Sequence, residues 1–429
     1  PQFQFTMVYI GLLMAILLAS LDGTIVSTAL KAIIQDFGRQ DLAAWLGSSY
    51  LLTAAPLGTL YGKLADIFGR KWTFVFAILV FEVGSVLCAV ATSMEFLIAA
   101  RAIAGIGGGG IFSLVLIIIS DICSLRDAGK YQGAVGAVYG LASIIAPLVG
   151  GAFSDHISWR WCFWINLPMG AITVATVLLY LNFPRTEGSM REKIKRIDGI
   201  GAFILFITIS FLAVPLQLAG STWNWGDAQT IVCFVLFFVF LGIFIYVQRN
   251  ISKEPIIPPS IFVNASVPAL LAISIFLGAA FISGVYFISL YFQVVFGDTA
   301  TQAGLATVPM VLGLVTTSII SGFLVSYLGN YKFLFFIGPF ITAAGIALMA
   351  FLDSGSALWQ QIVYLAVFGL GIGSMIQARV IGIQAAVPSE YIAVATAVAQ
   401  TGNTLGGAVG IAITGTIFNN VIVSATQRF

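Results

Sequence analysis

Three ionisable side chains stand inside long apolar stretches of the sequence, where a charge is costly and marks a candidate functional site. Asp22 lies in SLDGTIVSTAL, Glu82 in VFEVGSVL and Arg101 in RAIAGIGGGG. A carboxylate in such a place can bind and release a proton, and a neighbouring arginine can modulate that exchange. Asp22 and Arg101 are therefore predicted as partners, in either a static ion pair or a proton-titrated one. Glu82 is the third candidate for proton coupling.

The depth of these residues follows from the rise of about 1.5 Å per residue in an α-helix. Arg101 then lies about 10 Å inside the outer end of its stretch, and Asp22 can reach a similar depth from the opposite direction. Glu82 lies near the middle of its own stretch. There it either hydrogen-bonds to a neighbouring helix as a neutral acid or faces a cavity, and we expect the cavity.

A denser group of charges occurs in GKLADIFGRK, a short turn between two apolar stretches that ends at Lys71. Gly62 and Gly69 permit a tight turn and a close approach of helices. Asp66 and Arg70 have opposite charges at the four-residue spacing of neighbours on a helix. The pattern predicts a gating latch at a helix seam, or alternatively a solvated turn that only sets topology.

A weaker copy of this turn, GFLVSYLGNYK, occurs at Gly322–Lys332. Both glycines are kept, but Ser326 stands in the place of Asp66 and Asn330 in the place of Arg70. The charged latch is therefore expected in the first half of the chain only, with a helix end of the other half as its contact.

The composition requires a membrane. The chain has 429 residues, of which 59% are hydrophobic and 8% charged, and its mean hydropathy is +1.04. Soluble domains average about 25% charged residues. The net charge of +2 gives no reason to expect nucleic acid, and the four cysteines and single histidine lack metal-ligand spacing. No metal, cofactor or nucleotide motif is predicted, and an enzyme is disfavoured.

Thirteen apolar stretches are long enough to cross a bilayer, which takes about 20 helical residues. With the N-terminus in the cytosol, 13 of the 19 Lys and Arg residues fall on the cytosolic side and 4 on the other. This bias satisfies the positive-inside rule and predicts that orientation.

An internal repeat divides the chain. GIGGGGIF at Gly105 and GLGIGSMI at Gly369 are 264 residues apart, close to the 260 that separate Gly62 and Gly322. The predicted fold is an all-α polytopic membrane protein with two six-helix bundles, an inserted helix pair and a last helix missing from this sequence. The predicted domains are residues 1–184 (first bundle), 185–198 (cytosolic linker), 199–250 (inserted pair) and 251–429 (second bundle, with five helices).

A further stretch, GLASIIAPLVGG at Gly140–Gly151, combines a helix-bending proline with small residues. Small side chains leave a groove into which another helix can press. We expect this groove to form the seam between the two halves, with Gly402–Gly410 as its counterpart. The residues assigned to the motif are Ala146, Pro147, Gly150 and Gly151.

Together these motifs resemble the major facilitator superfamily. GKLADIFGRK is similar to its loop between helices 2 and 3, RAIAGIGGGG to its helix 4 motif, and ASIIAPLVGG to its antiporter motif. In that motif Ala146 stands where glycine usually precedes the proline. LDGTIVSTAL and WRWCFWINLPMG resemble the fourteen-helix drug:proton antiporter group, in a fungal style. The resemblance implies alternating access, proton exchange, a coupling role for Asp22 and a gating role for Asp66.

We therefore predict a proton-coupled antiporter, expected to be a monomer in the lipid bilayer, that moves small cationic or amphipathic molecules such as drugs out of the cytosol. Its partners are the substrate and protons, and its energy source is the proton gradient. Substrate would lie near the midplane between the halves. The predicted substrate-binding residues are Asp22, Tyr50, Glu82, Tyr139 and Tyr286.

Two alternatives remain open. The same antiporter group includes fungal vacuolar importers of the basic amino acids Lys, Arg and His, so the vacuolar and plasma membranes are both possible. A nutrient sensor with a transporter fold would use the linker and termini as interaction surfaces.

Overall fold

The computed structural model describes residues 2–39, 42–183, 189–219, 223–298, 300–353 and 355–426, and this part of the chain is almost entirely helical. The helices are α1 (Gln2–Phe37), α2 (Ala43–Phe68), α3 (Arg70–Ala89), α4 (Met94–Ile122), α5 (Leu125–His156), α6 (Trp161–Trp164), α7 (Asn166–Tyr180), α8 (Met190–Lys195), α9 (Gly199–Leu218), α10 (Ala228–Asn250), α11 (Ser266–Val295), α12 (Ala300–Ala306), α13 (Val308–Leu328), α14 (Leu334–Met349), α15 (Leu358–Ala386) and α16 (Ile392–Thr426). Short 3-10 helices precede α11 and α16.

Each of the thirteen predicted spans contains a helix, or the pair α6–α7 or α12–α13. Within the described residues, ten helical segments are long and apolar enough to cross a membrane, and α14 is a shorter apolar helix. A helix satisfies all of its backbone hydrogen bonds internally, as the bilayer interior demands. The protein is therefore a multi-pass integral membrane protein, and α8 lies in the predicted linker.

The helices pack in two groups. Helices α1–α7 pack on one another, and α11–α16 form a second group. Helices α9 and α10 pack together, and α9 also packs on α2 and α16, at the junction of the two groups. Asp198 caps α9 through the backbone N–H of Gly201 at 2.8 Å and accepts a hydrogen bond from Gln248 of α10 at 2.7 Å.

The internal repeat is visible in how its glycines pack. A methyl group added at these glycines would collide with the neighbouring helix, so each one allows a close approach. The equivalent pairs, each 264 residues apart, are Gly105 and Gly369 (against α2 and α13), Gly107 and Gly371 (against α3 and α14), and Gly109 and Gly373 (against α2 and α13). Helices α2–α4 and α13–α15 are therefore structural equivalents.

Candidate functional site

A cavity of about 850 Å³ lies between the two groups of helices. Its lining reaches Leu30 and Gly47 of the first group and Leu290 and Gly415 of the second. All four lie away from the end of the bundle that carries Lys63, Arg70, Asp121 and Lys130, which we call the charged end. The cavity therefore extends toward the opposite end. Its aromatic lining residues are Tyr50, Phe112, Tyr139, Phe281, Tyr286 and Phe287.

The predicted pairing of Asp22 and Arg101 is present. A guanidinium nitrogen of Arg101 lies 2.5 Å from an Asp22 carboxylate oxygen, and both side chains are buried. Arg101 Nε also donates to the Leu46 carbonyl oxygen at 3.3 Å. Its guanidinium lies 4.5 Å from the centre of the Tyr50 ring, a favourable cation–π distance. These three contacts hold a charge that the bilayer interior would otherwise penalise.

A second partner of Asp22 was not predicted. Asn166, the first residue of α7, donates from Nδ2 to Asp22 Oδ1 at 3.0 Å and to Ser85 Oγ of α3 at 3.1 Å. The only sequence signal for Asn166 is its place in WRWCFWINLPMG, the stretch used for the family resemblance. The Asp22 carboxylate is thus held by α4 on one side and α7 on the other.

Asp22 and Glu82 do not line the cavity, whereas Arg101 does. Neither carboxylate faces the cavity in this conformation, and their contact with substrate stays a prediction. Asp22 is covered by the residues that bind it. Glu82 faces α7, where a methyl group added at Gly170 would collide with its carboxyl group. Both Glu82 carboxyl oxygens are buried and lack a hydrogen-bond partner in the described structure.

The three predicted tyrosines all line the cavity. Tyr50 is 7% exposed. The Tyr139 ring lies 6.1 Å from Phe281 of α11, so an aromatic contact joins the two groups of helices at the cavity. Tyr286 is 56% exposed. Their contact with substrate remains a prediction.

Arg379 lines the cavity but was not among the predicted site residues. Arg379 lies near the end of a predicted span, a position typical of an interface charge, but it lines the cavity and is 4% exposed. Helix α15 ends at Ala386, so Arg379 lies about 10 Å inside it at 1.5 Å per residue. The depth count that found Arg101 would have found Arg379 as well.

The two groups of helices meet closely along α5 and α13 near the charged end. Methyl groups added at Gly129, Gly133, Gly136 or Gly140 would collide with, or press tightly on, residues of α13, and Gly322 of α13 faces Gly129 in return. The spacing of these α5 glycines puts them on one face. In the absence of a strong hydrophobic force between membrane helices, such close packing provides much of the attraction.

This seam lies elsewhere on α5 than predicted. Ala142 and Ala146 are fully buried in the core of the first group, and a methyl group added at Gly151 would meet nothing within 4 Å. Gly150 accepts a weak contact from Cys162, also in the first group, and the Pro147 side chain lies outside the described part of the structure. Ala146, Gly150 and Gly151 of the antiporter motif therefore do not form the seam in this conformation. The proposed counterpart is also wrong, because Gly406 and Gly410 pack on α11 in their own group.

Helices α2 and α16 form the second contact between the groups. A methyl group added at Gly62 would lie 2.9 Å from the Ala393 carbonyl oxygen and 3.0 Å from Ala397 Cβ. One layer deeper, the Thr59 and Thr401 hydroxyls are 2.7 Å apart. Thr401 also donates to the Ala55 carbonyl oxygen at 2.9 Å. The cavity is thus closed toward the charged end by small residues and hydroxyls.

The predicted latch pair is present in the first turn. Arg70 binds Asp66 at 2.6 Å and Asp121, near the C-terminus of α4, at 2.8 Å. Gly69 supplies the turn with a backbone φ of +89°, which favours glycine. The predicted contact with the other half is wrong for this pair, because Asp121 belongs to the first group. Gly62 of this motif does touch the other group, through Ala393 and Ala397 of α16.

An ionic link extends from the motif to the chain beyond α10. Lys63 lies 3.0 Å from Glu254, which also binds Arg196 of the predicted linker at 2.7 Å. The hydrogen bond from Arg196 and the charge of Lys63 lower the pKa of Glu254 below its usual value. The link therefore stays ionised at neutral pH. Lys71 donates to the Leu178 carbonyl oxygen at 2.8 Å.

The second turn lacks this ionic pairing, as predicted, because Ser326 and Asn330 carry no charge. Gly329 has a φ of +67° and makes the corresponding turn. Asn330 uses its side chain locally, accepting the Lys332 backbone N–H at 2.9 Å. The two turns therefore differ in their contacts: the first is held by ion pairs and the second by a local hydrogen bond.

Replacing Asp66 by Asn should weaken gating and leave substrate affinity intact, because Asp66 lies away from the cavity and binds the arginine that joins α3 to α4. We expect exchange between conformations, followed by fluorescence of labels at the charged end, to change severalfold. Asp127→Asn is the matched control, since Asp127 forms an exposed pair with Lys130. Loss of substrate affinity with unchanged exchange would contradict a gating role.

Comparison with known proteins agrees with the fold and the motifs. The sequence matches the Major Facilitator Superfamily over residues 12–411. The chain belongs to this superfamily, whose members are membrane transporters.

Two similar proteins come from fungi. The chain is 38% identical over 417 residues to the MFS-type efflux pump MFS1 of Arthroderma benhamiae, covering 96% of the chain and 78% of that relative. It is 34% identical over 418 residues to the efflux pump aflT of Aspergillus parasiticus, covering 96% of the chain and 81% of that relative. Among solved structures, the human organic anion transporter MFSD10 (TETRAN) matches with a TM-score of 0.70 at 14% identity, covering 96% of this chain and 93% of that one. At this identity the structural match shows the fold alone.

Proposed function

We propose that this protein is a proton-coupled antiporter that exports small amphipathic molecules from the cytosol by alternating access. The observation that carries the proposal is the buried Asp22–Arg101 pair, one member of which lines a cavity closed at one end. The names of the relatives, which are efflux pumps, support export. With the charged end in the cytosol, the structure corresponds to the state that faces away from the cytosol.

The geometry suggests how a proton and a substrate are linked. Protonation of Asp22 removes the charge that holds Arg101, and Arg101 is then free to change its contacts in the cavity wall. Substrate in the cavity and a proton on Asp22 thus both act on the Arg101 side chain. This differs from direct competition for a carboxylate, which requires Asp22 or Glu82 to face the cavity. None of the described lining residues is a carboxylate, so we propose amphipathic molecules rather than cations as the substrate class.

Purified protein in liposomes tests this function. A pH gradient is imposed, and a panel of amphipathic dyes and drugs is screened for uptake while a lumenal pH indicator records proton movement. We expect at least one compound to accumulate in exchange for protons, and a protonophore to abolish its accumulation. Transport that ignores the pH gradient for every compound would overturn proton coupling.

Glu82→Gln tests the second candidate proton carrier. The replacement is similar in shape, so the helices should pack as before. If Glu82 carries a proton, proton-driven uptake should fall about tenfold, the effect of about 1.4 kcal/mol. The control is Glu95→Gln, since Glu95 forms an exposed pair with Arg39. Full proton-driven uptake in Glu82→Gln would remove Glu82 from the coupling set.

The alternative of basic amino acid import is tested by uptake of labelled Lys, Arg and His in the same liposomes. Uptake driven by the pH gradient would favour it. The sensor alternative fails if the purified protein transports any compound.

A further inference from the structure

Arg379 is an ionised group that the proton-coupling pair does not use. It lies on α15 in the second group of helices, is 4% exposed and lines the cavity. Arg101, the other cation in the lining, is neutralised by Asp22. Arginine stays protonated in proteins, so Arg379 places a positive charge at the cavity wall.

The partners of Arg379 are neutral. One terminal nitrogen donates to the Ala399 carbonyl oxygen at 3.1 Å and the other to Gln400 Oε1 at 3.3 Å. Nε is buried without a partner in the described structure. These bonds use two of the five N–H groups of the guanidinium. A buried donor left unsatisfied is costly, so the side chain has unused capacity for an acceptor.

Other buried polar atoms around the same cavity also lack partners in the described part of the chain. They are Ser20 Oγ, Tyr50 Oη, Ser113 Oγ and Gln377 Oε1. Buried polar atoms are normally hydrogen-bonded, and each exception requires an explanation. Several exceptions on one cavity point to a ligand that supplies the missing bonds.

The described lining residues include two arginines and no carboxylate. A bound cation would meet only Arg379 as an uncompensated charge, and that charge repels it. A bound anion would neutralise Arg379 and can form a bidentate pair with its guanidinium. Aromatic rings such as Phe112 and Phe281 supply apolar contact for the rest of the molecule.

Building on the proposed export function, we propose that the cavity binds aromatic weak acids in their ionised form and that Arg379 pairs with the acidic oxygen. The substrate then combines an apolar ring system with one carboxylate. The positive charge of Arg379 selects this class over neutral and cationic molecules of the same shape.

Three probes of matched shape test the proposal: 2-naphthoate, 2-naphthamide and 2-naphthylmethylammonium. Equilibrium binding to the purified protein is measured for each probe. We expect 2-naphthoate to bind at least about tenfold more tightly than the other two, as a charge-assisted pair should provide. Arg379→Gln should abolish this preference, and Arg379→Lys should keep part of it because the charge remains. Arg249→Gln, which alters an exposed arginine at the end of α10, should leave it unchanged.

The outcomes separate this proposal from the proposed function. Preference for the ammonium or the amide, binding of none of the three probes, or an undiminished preference in a folded Arg379→Gln protein overturns the role of Arg379. Export of other compounds would then still stand. Preferred binding of 2-naphthoate without proton-driven transport would uphold this site and overturn the antiporter function.

Discussion

Replacing Asp22 by Asn should abolish proton-driven transport while the protein still folds. The substitution removes the group proposed to carry the proton and leaves Arg101 buried without its counter-ion. Breaking a buried pair from one side costs about 3–5 kcal/mol, because the remaining charge is uncompensated. We therefore expect both a loss of proton exchange in liposomes and a lower thermal midpoint.

Two further variants separate these effects. Asp36→Asn makes the same chemical change on the same helix, but Asp36 forms an exposed pair with Arg160, which is worth about 0–1 kcal/mol. It should therefore behave like the wild type. The double variant Asp22→Asn with Arg101→Gln removes both charges and should recover stability without recovering proton exchange. Coupled flux at the wild-type level in Asp22→Asn would refute the coupling role.

Replacing Gly322 by Ala should prevent the two groups of helices from closing at the charged end. The added methyl group would collide with the backbone carbonyl of Gly129, which cannot swing away as a flexible side chain would. Overpacking of this kind costs about 1–3 kcal/mol, which shifts a two-state equilibrium about 5- to 150-fold. We expect a protein that opens toward the charged end and transports poorly.

Labelling of a single cysteine reports this shift. The four native cysteines are replaced, and Ser318→Cys is introduced at a fully buried position of α13 beside Gly136. A membrane-impermeant maleimide should label it slowly in the parent and much faster with Gly322→Ala. Gly242→Ala is the control, because a methyl group there meets nothing within 4 Å. Equally slow labelling in Gly322→Ala would show that the seam tolerates the methyl group.

The sequence was sufficient for the helices and for the central ion pair. Spans follow from the length of apolar stretches, and the pairing of Asp22 with Arg101 follows from counting depth along two helices that run in opposite directions. Both are one-dimensional properties. The depth of Arg379 can be counted along its helix in the same way, and that count places it inside the membrane-spanning part.

The sequence was a poorer guide to which face of each helix contacts the other half. Helix α5 carries small residues on two faces, and only tertiary packing decides which face meets the other half. The chosen face, with Ala142 and Ala146, packs into its own group, whereas the glycines at 129, 133, 136 and 140 form the seam. The expectation that Glu82 faces the cavity was wrong for the same reason. Its depth in the membrane does not tell whether the side chain points toward the cavity or toward α7.

The contacts that join α5 with α13 and α2 with α16 consist of glycine backbone, aliphatic and small polar side chains, and threonine hydroxyls. In the part of the chain that the structure describes, no ion pair joins these helix pairs. The ionic link through Glu254 lies outside them. Among the described residues, these two contacts therefore contain no group that takes up or releases a proton when the surfaces meet. The charges of this end belong instead to the Asp66–Arg70–Asp121 and Lys63–Glu254–Arg196 contacts beside the seams, and it is these contacts that dissolved salt can screen.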